Sequence, residues 1–81
     1  MTRTELIEVV YDTILNNSTL CREEILLGET WYDQGIDSLE KVSTILDIEH
    51  RFRIEIPDSD ADELRTPLEL VDYLSNVLRI N

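Results

Sequence analysis

The sequence predicts an all-α fold: a four-helix bundle with three main helices, a short third helix, and a long loop between the first two. Three observations carry this. Apolar residues recur at spacings of three and four in each long segment, no run alternates with period two, and helix-start signals stand at three separate places. The 81 residues leave room for one domain spanning 1–81 and no second core. A chain of this size buries only about 60–65% of the surface its unfolded form exposes, so a deep catalytic cleft would be hard to build.

The first helix starts at "TRTE", where Thr2 and Glu5 have the spacing of a capping box. Leu6, Val10 and Ile14 then recur on one face, flanked by Ile7, Val9 and Leu15, and the helix is expected from about Arg3 to Asn16. Asn17 to Asp37 is long for a connection in so small a chain. Arg22–Leu26 could supply a short helical turn, and Trp31, Tyr32, Leu20, Ile25 and Leu27 are expected to pin the loop to the bundle. Gly35 permits a turn with positive φ, and Asp37 or Ser38 caps a second helix running to about Arg53. "IEIPD" is expected to be extended, since Pro57 disfavours helix in the residue before it. "DSDADEL" reads as the short helix. "TPLE" starts the last one, with Thr66 as cap, Pro67 at the first position and Glu69 at the third; Val71, Leu74 and Leu78 form its apolar stripe.

Charge narrows the functions available. Eighteen acidic and seven basic residues give a net charge of −11. Nucleic-acid binding is disfavoured, because neutralising phosphates needs clustered Lys and Arg, whereas a partner with a basic surface is favoured. The charge is uneven. Met1–Asp37 has a net charge of −6 and Ile54–Asn81 of −5, whereas Ser38–Arg53 is neutral when His50 is neutral. No apolar run approaches the roughly 18–20 residues that span a membrane, the N-terminus lacks a secretory apolar core, and Cys21 has no second cysteine to pair with. A cytoplasmic monomer that does not insert into membranes is expected.

The second helix has two apolar stripes. At about 100° per residue, Leu39, Val42 and Leu46 share one sector, while Ile45, Ile48 and Phe52 share another centred roughly 120° away. An outer helix of a small bundle needs one stripe for the core. The second is either a docking surface beside Ser38 or part of one wide core face.

Ser38 itself has three readings. A serine here can be a helix cap. A nucleophile needs a base, but the one histidine, His50, lies about 18 Å along the same helix at about 1.5 Å per residue, and G-x-S-x-G is absent. An enzyme is therefore not expected. The third reading is attachment: a phosphate ester on Ser38 would sit at the positive end of the helix, placed there by a separate enzyme.

"GIDSL", followed at fixed distance by "FRIEIPD" and then "TPLELVDYL", resembles the acyl carrier protein family over nearly the whole chain. The resemblance implies a bundle of acyl-carrier type and a covalent 4'-phosphopantetheine on Ser38, added from coenzyme A by a phosphopantetheinyl transferase. The terminal thiol of that group would hold acyl cargo as a thioester. Asp37 and Leu39 would belong to the recognition sequence. Leu39, Val42 and Leu46 match positions that face partner enzymes, with Glu40 and Asp47 placed to meet basic residues on acyl-loading, elongating or transferring enzymes. Ile45, Ile48, Phe52, Leu64 and Leu74 are candidates for an interior that shelters an acyl chain. Two features depart from the family pattern. Gln34 replaces the usual apolar residue before the glycine, and "HRFR" ends a helix that housekeeping fatty-acid carriers keep strongly acidic. Both point to a dedicated carrier for a specialised fatty acid, lipid or polyketide pathway.

An aminoacyl or peptidyl carrier loaded by an adenylating enzyme fits the same residues. An unmodified acidic adaptor, binding a basic partner through Leu39, Val42 and Leu46, is the reading of a different class. "DSDADELRTPLE" has the carboxylate spacing of a calcium loop, but Glu63 stands where that loop needs glycine and Pro67 interrupts it, so no metal site is expected. Cys21 reads as a half-buried small apolar residue rather than a reactive thiol.

Overall fold

The computed structural model describes residues 1–80. These form α1 (Arg3–Asn17), a 3₁₀ turn (Arg22–Glu24), α2 (Ser38–Phe52), α3 (Asp58–Glu63) and α4 (Pro67–Val77), with no strand among the described residues. The helix ends agree with the sequence reading to within one residue. Local chemistry explains why. The Thr2–Glu5 capping box closes as expected, and Thr66 Oγ1 accepts the Glu69 N–H at 3.0 Å with Pro67 at the first helical position.

α1 packs against both α2 and α4. Leu6, Val10 and Ile14 of α1, Ile48 of α2, and Leu70, Val71 and Leu74 of α4 are fully buried between them. Two threonines join this core, Thr13 and Thr44. Each returns its hydroxyl to the carbonyl four residues earlier, Thr13 to Val9 at 2.7 Å and Thr44 to Glu40 at 2.8 Å, so neither buries an unpaired donor. Asn17 Nδ2 reaches Asp47 at 2.8 Å, and Arg3 bonds Ser75 at 3.0 Å, tying α1 to α2 and to α4.

The long loop is held mainly by Trp31. Its ring is buried, its Nε1 donates to the Leu64 carbonyl at 2.7 Å, and its backbone N–H donates to Arg65 at 3.2 Å. Ile25 and Ile36 are buried beside it, and Leu20 packs against the same core. Tyr32 corrects the sequence reading in part: its ring is exposed rather than packed on the core, and its tie to the bundle is polar, through the hydroxyl of Ser38 at the start of α2. Its neighbour Trp31 fills the apolar slot instead.

Cys21 is also corrected. It is exposed, not half-buried, and both its backbone N–H and its thiol donate to Glu24 Oε1, at 2.9 and 3.1 Å. Phe52 is only partly buried, because α2 ends there and Arg53 leaves it in the left-handed region at φ 54°. Residues 58–69, which carry the calcium-like spacing, fold as α3 and the capped start of α4 rather than as a loop around an ion.

Candidate functional site

The turn before α2 builds the site. Gly35 adopts φ 89°, a conformation that costs a residue with a side chain, and the Gly35 and Ile36 N–H groups donate to Tyr32 at 3.0 Å and to Trp31 at 2.8 Å. Ile36 is thereby driven into the core, and the next residue must begin a helix at the surface.

Asp37 takes the cap. Its Oδ1 accepts the Glu40 N–H at 2.8 Å, and Glu40 Oε1 accepts the Asp37 N–H at 2.9 Å. Of the two residues that could cap, the aspartate does so. Ser38 therefore sits one residue inside the helix, exposed, with its hydroxyl released from capping and its N–H among the orphan donors of the first turn. Among the described residues the hydroxyl has one hydrogen-bond partner, the Tyr32 phenol at 2.5 Å.

The two stripes of α2 separate cleanly. Ile45 and Ile48 are buried, whereas Leu39, Val42 and Leu46 are 74%, 51% and 51% exposed. The wide-core-face reading fails on this point. Glu40 and Asp47 flank the exposed stripe, but each already has local work: Glu40 closes the cap and Asp47 accepts from Asn17. The far end of α2 presents His50, Arg51 and Arg53, all exposed. Of the five interior candidates, Ile45, Ile48, Leu64 and Leu74 are brought together in the core, and Phe52 packs on its edge.

A groove of about 430 Å³ opens beside Ser38, with Tyr32, Lys41 and Val42 on one side and Asp58, Ala61 and Asp62 of α3 on the other. Sequence reasoning missed Tyr32 and Lys41. Lys41, three residues after Ser38 on a helix, was open to detection by spacing. Tyr32 was not, because its approach to Ser38 depends on the Gly35 turn.

Residues 17–74 match the family described as "Phosphopantetheine attachment site". An acyl carrier protein of Chlorobium phaeobacteroides is 33% identical over 75 residues, covering 91% of this chain and 96% of the relative. The mitochondrial acyl carrier protein of Saccharomyces cerevisiae is 38% identical over 72 residues, covering 88% of this chain and 58% of that one. The chain belongs to the acyl carrier protein family. As an acyl carrier it bears a covalently attached 4'-phosphopantetheine, which supplies a terminal thiol able to hold an acyl group as a thioester. The site fits such a group: an exposed primary alcohol, bonded only to the Tyr32 phenol among the described residues, stands at a helix N-terminus with a groove beside it. The carrier role implies contact with the enzymes that modify it and handle its cargo. No helix among the described residues is long and apolar enough to cross a membrane.

Proposed function

We propose that Ser38 is the attachment residue and that the chain is a dedicated acyl carrier. In this role it would move thioester-bound intermediates between the enzymes of a fatty acid, lipid or polyketide type pathway. One observation carries the reading: Asp37, not Ser38, caps α2, leaving the Ser38 hydroxyl exposed for chemistry. In the modification the Ser38 oxygen bonds to the phosphorus that bears the pantetheine arm, the pyrophosphate bond of coenzyme A breaks, and 3',5'-ADP leaves with the electron pair. The hydroxyl proton needs a base. The partner of Ser38 here is a phenol, and among the described residues no histidine or carboxylate bonds it. That supports a separate transferase as catalyst of the attachment.

Partner enzymes dock on Leu39, Val42 and Leu46, with Glu40 and Asp47 at the rim. The cationic end of α2 selects enzymes that tolerate or match positive charge there, which sets this carrier apart from the general fatty-acid machinery. Ile45, Ile48, Phe52, Leu64 and Leu74 form the apolar interior that parts to admit an acyl chain. A cytoplasmic location belongs to the same proposal; cell fractionation checks it, and the yeast relative makes the mitochondrion the competing result.

Incubation with coenzyme A and a broad-specificity phosphopantetheinyl transferase tests attachment. The expected result is an intact-mass gain of one phosphopantetheinyl group, absent in Ser38→Ala. No gain, under conditions that modify a known carrier, would leave an unmodified adaptor. Loading by an adenylating enzyme with an amino acid, in place of an acyl group, would make the chain an aminoacyl carrier. Exchange into ordinary fatty-acid synthase enzymes as efficient as that of a housekeeping carrier would refute the dedicated role.

A further inference from the structure

We propose that Tyr32 and Lys41 form a seat for the phosphodiester that joins Ser38 to its arm, and that this seat turns the arm into the groove between α2 and α3. The inference rests on the attachment reading above. Tyr32 is 65% exposed, so burial does little to fix its ring. What holds its polar end is the Ser38 hydroxyl, 2.5 Å away. Lys41 follows Ser38 by three residues on α2, a spacing that puts two side chains on one face. The ion pairs among the described residues are Arg3–Asp72 and Arg22–Glu8, so Lys41 is an unpaired cation. Tyr32, Ser38 and Lys41 line the same groove.

Attachment keeps the Ser38 oxygen in place and adds two non-bridging oxygens that share one negative charge. A phenol can donate to such an oxygen and an ammonium can pair with it, and charge-assisted hydrogen bonds are about twice as strong as neutral ones. Asp58 and Asp62 stand on the α3 side of the groove. Their charge repels the phosphodiester from that wall and leaves the Tyr32–Lys41 side as the place for it. The uncharged remainder of the arm, with its amides and methyl groups, then runs past Val42 and Ala61.

The test compares the parent with Tyr32→Phe, Lys41→Ala and Lys41→Arg, each loaded by the transferase to completion by intact mass. Phosphorus NMR reads the phosphodiester, and proton cross-peaks read contacts of the arm's methyl groups with Val42 and Ala61. In the parent those cross-peaks are expected, together with a phosphorus shift that moves with salt. In Tyr32→Phe and Lys41→Ala the cross-peaks should fall by about 1.5- to 5-fold, the scale of losing one exposed charged contact. Lys41→Arg should keep them. Identical phosphorus shifts and cross-peaks in all four proteins would overturn the seat while leaving attachment intact. Failure of the parent to load, beside a control carrier that loads, would overturn both.

Discussion

Cys21 shows how far one side chain's surroundings can redirect its chemistry. An exposed thiol is ordinarily open to reagents, but this one donates to Glu24, and that carboxylate, then Glu23, pushes its pKa up. A raised pKa lowers the thiolate fraction at any pH below it, and only the thiolate is a good nucleophile. We therefore expect iodoacetamide at about pH 8 to alkylate Cys21 several-fold more slowly than cysteine in a short peptide with the usual pKa near 8.5. Glu24→Gln should recover part of the rate, and mass spectrometry over time checks both; equal rates in parent and variant would exclude the carboxylate as cause. The sequence placed Cys21 half-buried because small thiols often are, and nothing linear shows which way a residue at a loop entrance turns. Trp31 was easier: a lone tryptophan in a long loop has few fates besides anchoring it, and its ring and indole nitrogen do so.

At the scale of elements, helix starts were legible and loop contacts were not. Thr2–Glu5 and Thr66–Pro67–Glu69 are short-range patterns whose partners lie within one turn, so spacing suffices. The choice between Asp37 and Ser38 was left open because both are good caps, and it is settled by the reciprocal bonds with Glu40. Gln34 is the opposite case. It looked like a departure from the family, yet its side chain accepts from the Leu26 N–H at 2.8 Å and donates back to the Leu26 carbonyl at 2.8 Å, across eight residues of loop. A polar staple replaces an apolar contact, and only the folded path of the loop reveals it. Asp37 carries the prediction at this scale. Asp37→Ala should destabilise the unmodified protein by about 0.5–2 kcal/mol, the usual cost of losing an N-cap, as read by thermal unfolding. An unchanged midpoint would mean the Asp37–Glu40 box contributes nothing, and any effect of the variant on the transferase would then be recognition alone.

For the whole molecule the dominant fact is a net charge of −11 against two exposed ion pairs among the described residues. Each such pair contributes about 0–1 kcal/mol, while self-repulsion acts across the whole surface. Raising salt from about 0.02 M to about 0.5 M shortens the screening length from roughly 20 Å to roughly 4 Å. It weakens both effects, and the repulsion is the larger loss. The melting temperature at neutral pH should therefore rise by a few degrees with sodium chloride, followed by circular dichroism; a fall would show that the ion pairs outweigh the repulsion. The exposed stripe of α2 bears, finally, on time. Leu39, Val42 and Leu46 can each contribute at most about 1.5–3 kcal/mol on burial, while bringing two proteins together costs about 4–15 kcal/mol. On the docking reading proposed above, so small a patch makes for visits that end soon after they begin, with differences in affinity expressed as differences in departure rate. A molecule that must call on one enzyme after another is served by a surface too weak to keep it anywhere, and the pace of its circuit is then set by how quickly each host lets go.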